Sequence, residues 1–583
     1  MKRIAISFGA IVLTYLLLGE VARAQNTTNN YTGTTTGSLL TDSNWSLGHV
    51  PTVSEDAVFP LGATTGIRTL SNGSLTVGSF NVLATSGTFT IRNATNNTTS
   101  TLTLGGAGNL GNGVSGTASD LLFAAGGSTF TLTGTNATLA IMNVVLGQSG
   151  SFNAVGTINA NAVISDGGSN FAITKTGAGR LTLGSANTHG GGTTLSTGSL
   201  NITNGGTASG SSLGTGTFTI NGGTIENTSA SPVTVATNNA QTWGGDFTFA
   251  GTGNSSLNLG TGAVTLTGNR TILNMSGTTA TLTVGGAIGD GGSGFSLSRV
   301  GTGLGTLILT GNSTYSGGTT IGGGTFSVSS IGNAGATGNL GTGGINLGNT
   351  TTGGTLLYTG AGETTNKVFN LSGTTGGGII DTTGATGGLV LSANVTATGA
   401  GTKTFTLRGD STGNAVNGNI VDNGGANLTR LAKSGAGSWT LSGATNTFSG
   451  GTTISGGTLI VTTNGGLGGG NVSLTAAAVT LTLQGASNNY IADTANLNIG
   501  FTDDVVNLNY TGTDTISSLT VAGMEQAPGV YGSAASGAPN VLPEFFGTGT
   551  LTVLTMIPEP TTYMLFGLGV LVCAQQFRRR KAK

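Results

Sequence analysis

Along most of the chain, apolar and polar residues alternate one for one in short runs: TLTLGG from residue 101, TFTLTG from 129, TFTLRG from 404 and AVTLTLQG from 478. Successive side chains of a strand point to opposite faces, so Leu, Val, Ile or Phe alternating with Thr predicts strands of about five residues with one buried face. Gly or Asn bounds each run. Between the two ends of the chain no segment carries the competing period of a helix.

Strands recur about every ten residues, with scant Pro and with Gly or Asn at the corners, which suits a chain that coils into rungs stacked on one another. The expected fold is therefore all-β, a parallel β-helix (β-solenoid). Inward Leu, Val and Ile would form an apolar column, and outward Thr, Ser and Asn would stack in ladders. With about 22 residues per rung and about 4.8 Å between rungs, residues 25–556 would form a rod on the order of 100 Å long. A stack of antiparallel β-sandwich domains is the alternative, because alternation does not report strand direction.

Internal repetition sharpens this picture. Residues 175–195 read KTGAGRLTLGSANTHGGGTTL, residues 299–321 read RVGTGLGTLILTGNSTYSGGTTI, and residues 433–454 read KSGAGSWTLSGATNTFSGGTTI. Each copy starts on a cation (Lys175, Arg299, Lys433), passes a Gly turn, an alternating strand and an Asn/Thr/Ser corner, and ends in Gly-Gly-Thr-Thr. Asp166, Asp290 and Asp422 precede the cations, and LGTGTFTI, LGTGGINL and LGGGNVSL follow from Leu213, Leu340 and Leu467. A long unit made of several turns has been duplicated.

Composition excludes several classes. Gly accounts for 109 residues and charged residues for 7%, yet 36% of the chain is apolar, too much for a disordered polymer. Residues 25–560 hold 11 basic side chains against 19 acidic ones, a net charge of -8. So sparse a set of cations argues against nucleic acid as a partner. The single cysteine, Cys573, lies near the C-terminus and leaves the body without a thiol for a disulfide or a Cys-based metal site.

The two ends read as addresses. Lys2 and Arg3 precede the apolar run IAISFGAIVLTYLLLG, and Ala22-Arg23-Ala24 offers small residues for signal peptidase, making Gln25 the first mature residue. At the other end stand Pro558-Glu559-Pro560, an apolar segment from Tyr563 to Ala574, and Arg578-Arg579-Arg580-Lys581 as a membrane stop. That segment would span only about 18 Å as a helix, against roughly 30 Å of hydrocarbon. A transient inner-membrane insertion with the arginines held in the cytoplasm fits better than a permanent anchor, which stays open.

Two resemblances attach to these residues. The K-x-G-x-G, L-T-L, N-T-x-S-G-G-T-T, G-T-L skeleton, near 173–202, 297–328 and 431–461, resembles the autotransporter-associated β-strand repeat of bacterial secreted proteins. Arg299 and an inserted Gly set the middle copy slightly apart. The tail, 557–583, resembles the PEP-CTERM sorting signal, which implies recognition and removal by an exosortase during transfer to the cell exterior. The expected layout is a signal peptide over 1–24, an N-terminal β segment and cap over 25–100, a solenoid over 101–495, a closing β module over 496–556 and the sorting tail. NWSLGHVPTVSEDAVF, from Asn44 to Phe59, resembles an opening segment of exported β proteins, and 499–553 resembles their closing module.

Little here points to catalysis, and no cofactor is expected. Polysaccharide-cleaving β-helices need converging carboxylates, whereas Glu55-Asp56 and Asp503-Asp504 are strand neighbours that point apart. The three repeated aspartates read as turn formers rather than calcium ligands, and His189 as a corner residue in the place of Tyr315 and Phe448. Gly409-Asp410-Ser411-Thr412-Gly413 matches a nucleophile elbow without its strand-to-helix setting. Trp45, Tyr531, Phe545 and Phe546 read as cap packing or as a carbohydrate platform. The sequence thus supports an exported structural or adhesive protein, with signal peptidase and exosortase as processing partners and extracellular polysaccharide as a candidate ligand. A β-helical polysaccharide lyase or hydrolase is the alternative. An autotransporter passenger would call for a C-terminal membrane barrel where this chain has RRRKAK.

Overall fold

The computed structural model describes residues 27–554. Coverage is continuous from 163 apart from 252–254, 274–279 and 464–465, and consists of strands and short segments before that. The signal-peptidase site (Ala22, Ala24, Gln25), the sorting motif Pro558-Glu559-Pro560 and the stop Arg578-Arg579-Arg580-Lys581 lie outside the described residues. Among those residues there is no α-helix, and the one helical turn is Asp42–Asn44.

The alternation does what its period requires. Gly150–Ala154, Thr157–Ala160 and Thr306–Leu309 each bury every second side chain, and so do most strands after them. Most strands pair in parallel with strands 19 to 30 residues further on, as in Thr306↔Thr325 and Gly324↔Gly354. The fold is a β-solenoid, and strand direction, on which the sequence was silent, rules out the antiparallel sandwich stack.

The rod has three sides. One carries a nine-stranded sheet that ends at Ile288–Gly289. The second is a 14-stranded sheet from Gly66–Thr69 to Val395–Ala397, about 60 Å of rod by itself. The third is a 14-stranded sheet that starts at Val233–Thr234 and closes with Met524–Glu525. By chain order, an eight-stranded sheet starting at Ala361–Thr365 resumes the first side.

The three copies of the repeat lie on different sides. Strands Ile173–Thr176 and Thr193–Leu195 of the first copy are on the first side, and Arg180–Leu183 and Ser199–Ile202 are on the second. The middle copy puts Leu297–Arg299 and Thr319–Ile321 on the second side, and the last puts Thr429–Lys433 and Thr452–Ile454 on the third. The duplicated unit therefore makes five turns plus one side.

Packing fills the prism. Columns of register partners such as Leu257↔Leu282↔Leu307↔Phe326↔Leu356 run along its inside, all buried. At the N-terminal end Thr27–Asn30 pairs with Glu55–Phe59, and Trp45 packs edge-on against Tyr31 with ring centroids 5.2 Å apart. The Trp45 indole N–H donates to the Leu39 carbonyl at 3.0 Å. Trp45, Tyr531 and Phe545 are buried and cannot form a carbohydrate platform, while Phe546 is half-exposed.

At the C-terminal end some strands pair in the opposite direction. The two antiparallel strand pairs among the described residues are here: Met524–Glu525 folds back on Ser518–Val521, and Gly529–Gly532 runs against Thr550–Val553. Two-residue strands such as Met524–Glu525 and Asn540–Val541 leave little open edge for a further strand to join.

Side-chain direction decides the cost of substitution. Leu441→Ala, in a buried position, is expected to destabilise the rod by about 2–5 kcal/mol, whereas its outward neighbour Thr440→Ala should stay within about 0.5 kcal/mol. Urea unfolding midpoints of the two variants check this.

Candidate functional site

The repeat is the strongest sequence signal in the body, so its corner is the first place to look for function. Its cation occupies an inward position. Lys175 is register partner to Phe152 and Leu195, Arg299 to Ile272 and Ile321, and Lys433 to Leu407 and Ile454. The aliphatic stem fills the apolar column while the charged end reaches the corner, where the turn directs its carbonyl oxygens inward.

Those carbonyls are what the cation binds. Lys175 Nζ donates to Thr176, Gly177 and Thr197 at 2.7, 2.8 and 3.1 Å. Lys433 Nζ donates to Ser434, Gly435 and Gly456 at 3.0, 2.8 and 2.7 Å. Arg299 reaches Gly303 and Gly305 at 3.0 and 2.6 Å and also Gly323. A Cβ on Gly198 would lie 2.7 Å from Lys175 Nζ, so the glycine one rung on leaves room for the ammonium.

Two further lysines, not singled out by the repeat, do the same. Lys367 Nζ donates to Gly341 and Gly343 at 2.6 and 3.1 Å, and Lys403 Nζ to Gly399, Ala400 and Gly401 at 2.9, 3.3 and 3.0 Å. All four lysines between residues 25 and 556 are thus buried. Burial drags Lys175 and Lys433 down to about 8, Lys367 also to about 8 against the opposing pull of Glu363, and Arg299 to about 10.

The other signature residues also turn inward. Asp166 accepts the N–H groups of Gly168 and Phe171 in its own turn and that of Gly190 one rung on, at 2.9, 2.9 and 2.8 Å. Asp290 repeats this with Gly292, Phe295 and Ser316. Burial pushes its pKa up, but these bonds and the Ser316 hydroxyl outweigh it and hold the carboxyl down to about 2. Asp422 accepts from Thr429 N–H and the Ser449 hydroxyl. Turn-forming aspartates are what the structure shows.

Asn187 accepts from Ile164 N–H at 2.8 Å and donates to Ser212 O at 2.7 Å, bridging three consecutive rungs, and Asn446 does likewise with Ile420 and Gly466. The first Thr of Gly-Gly-Thr-Thr closes the corner: Thr193 Oγ1 donates to Leu213 O at 2.9 Å and Thr319 Oγ1 to Leu340 O at 3.1 Å. His189 Nε2 and the Tyr315 hydroxyl meet these threonines at 3.0 and 2.6 Å. His189 is fully buried, and burial, opposed by Asp166, drives it down to about 4. It is a corner residue.

No catalytic constellation emerges from the acids named above. Asp504 is buried on the N–H groups of Phe501 and Val479, while Asp503 faces solvent. Ser411 Oγ lies 3.2 Å from Asn414 Oδ1 in a strand-to-strand turn, the wrong setting for a nucleophile elbow. Asp514, pushed up to about 6 by burial, accepts N–H groups from Tyr490, Ile491 and Thr515. Among the described residues no three His, Cys, Asp or Glu side chains converge as metal ligands, and no helix is long and apolar enough to cross a membrane.

Sequence similarity to known proteins falls on the repeat and on the tail. The Passenger-associated-transport-repeat family matches residues 173–202, 302–328 and 431–461, the middle match starting just past Arg299. The PEP-CTERM protein-sorting motif matches residues 557–581. A stretch of 139 residues, 24% of this chain, is 39% identical to the Adhesin BmaC autotransporter of Brucella suis biovar 1 (strain 1330), and covers 4% of that protein. No solved structure matches the chain. The protein is a β-solenoid that contains three matches to the passenger-associated-transport-repeat. It carries a PEP-CTERM sorting motif at its C-terminal end.

The depressed lysines set a pH dependence. The unfolded chain holds their protons to about pH 10, whereas the rod releases them from about 8, so stability is expected to rise with pH across that window. Thermal melting at pH 7 to 10 checks it. A Lys175→Met/Lys433→Met double variant should flatten the rise.

Proposed function

We propose that the chain is an exported, non-enzymatic structural or adhesive protein of the bacterial cell surface or extracellular matrix. Residues 1–24 act as its signal peptide, and an exosortase system sorts it through the tail. The PEP-CTERM motif at 557–581 carries this reading, because that address is attached to a β-solenoid rod. A second support is the corner, whose cation, aspartate and first threonine are bound to backbone groups of their own and neighbouring rungs. The likeness to a protein named as an adhesin points the same way.

On this reading the tail is a transient element. Its apolar segment inserts in the inner membrane, Arg578-Arg579-Arg580-Lys581 keep the end cytoplasmic, and cleavage near Pro558-Glu559-Pro560 frees the body. Extracellular polysaccharide is the proposed ligand of the released rod.

Replacing Pro558-Glu559-Pro560 by alanines should leave the body in the inner-membrane fraction at its uncleaved mass, while the native chain appears outside and shorter. Fractionation with an epitope tag near residue 540 reads both. Equal release of both forms would contradict exosortase sorting.

A further inference from the structure

The last repeat differs from the others at one outward position. Arg430, three residues before Lys433, stands where the first copy has Ala172 and the middle copy Ser296. Most other basic side chains that the structure describes are spent: Lys175, Lys367, Lys403, Lys433 and Arg299 on corner carbonyls, and Arg180, Arg270 and Arg408 on Glu226, Asp246 and Asp381. The Arg430 side chain is exposed and has no hydrogen bond or ion pair.

It borders a groove of about 500 Å³ on the third side, floored by Gly450 and Gly451 and flanked by Thr453, Asn471 and Ser473. A Cβ on Gly450 would come within 2.6 Å of Arg430 Cγ, so the bare glycine is what lets the arginine stem lie along the floor. Thr453 and Ser473 are register partners on adjacent rungs, and neither hydroxyl is engaged. Asn471 Oδ1 accepts from Asn496 N–H, which leaves its amide N–H groups to donate. Asp422, which accepts from Ser449 on the groove wall, is turned onto Thr429 and Ser449 and makes no ion pair with the guanidinium.

The middle copy supplies a comparison. There the same Gly-Gly corner, Gly317 and Gly318, floors a notch of about 160 Å³ with no cation beside it. The fold therefore makes the notch at this corner, and the last copy enlarges it and adds a free guanidinium. Its volume falls in the range of small-molecule sites. A planar fork of donors next to hydroxyls and an amide matches a carboxylate on a ring that itself bears hydroxyls.

We propose that this groove binds a uronate unit of an acidic extracellular polysaccharide, Arg430 pairing with the sugar carboxylate and Thr453, Ser473 and Asn471 meeting its hydroxyls. The site gives a chemical class to the polysaccharide ligand proposed above, and rests on that reading only for where the ligand is met.

Titration calorimetry of the full-length chain in detergent micelles with trigalacturonate and with maltotriose, a neutral sugar of the same length, tests it. Saturable binding of trigalacturonate alone is expected, weakened at least about tenfold by Arg430→Gln and by Thr453→Asp, with circular dichroism unchanged. Equal affinity for maltotriose, equal affinity of both variants, or no binding to the native chain would overturn the site. Because the titration does not depend on export, those results leave the sorting of the chain to its own test.

Discussion

A parallel solenoid must satisfy at each corner the backbone groups that its ladders cannot. Along the sides the inner strands of each sheet hand their N–H and C=O groups to the rungs above and below, as in Leu431↔Thr452↔Val472↔Leu497. Where the chain turns, carbonyl oxygens point into an apolar interior, and an unmet buried carbonyl costs about 1–3 kcal/mol. Here the donors are charged. Lys175, Arg299 and Lys433 act as internal pegs, each tying three carbonyls across adjacent rungs. The opposing cost, burial of a charge away from water, is visible in their lowered proton affinity.

This arrangement explains a surface nearly free of lysine. A rod whose cations are internal presents hydroxyls and amides outside, and Asn346, Asn370 and Thr396 bond one another along the second side. Because the duplicated unit advances by five turns and one side, its corners face successive sides. A feature added to one copy, such as Arg430, is therefore displayed in one direction only. Duplication with a fractional turn lets a repetitive fold carry distinct surfaces without altering the corner that holds it together.

Much of this was legible in the residues. Alternation of Thr with Leu, Ile or Phe defined the strands, and the spacing of Gly-Gly-Thr-Thr defined the repeat. Strand direction was not legible, since period two is the same for parallel and antiparallel pairing. The cation held a signal that is easy to pass over: Lys175 is in phase with Ile173, Arg299 with Leu297 and Lys433 with Leu431, so the alternation itself turned them inward. Charge suggests solvent, and phase overrode it because the corner carbonyls lie where the side chain ends. Trp45, Tyr531 and Phe545 went the same way, their apolar bodies outweighing their worth as exposed platforms. The free guanidinium of Arg430 showed only once the partners of most other cations were known.

The central claim is that the repeat's cations lie inside the rod, and covalent labelling of amines tests it directly. An amine-reactive ester applied to the folded chain at pH 7 and read by peptide mass spectrometry should leave Lys175, Lys367, Lys403 and Lys433 unmodified until denaturant is added. Rapid labelling of Lys175 and Lys433 in the folded protein would contradict the account, because pegs that reagent can reach are not holding the corners.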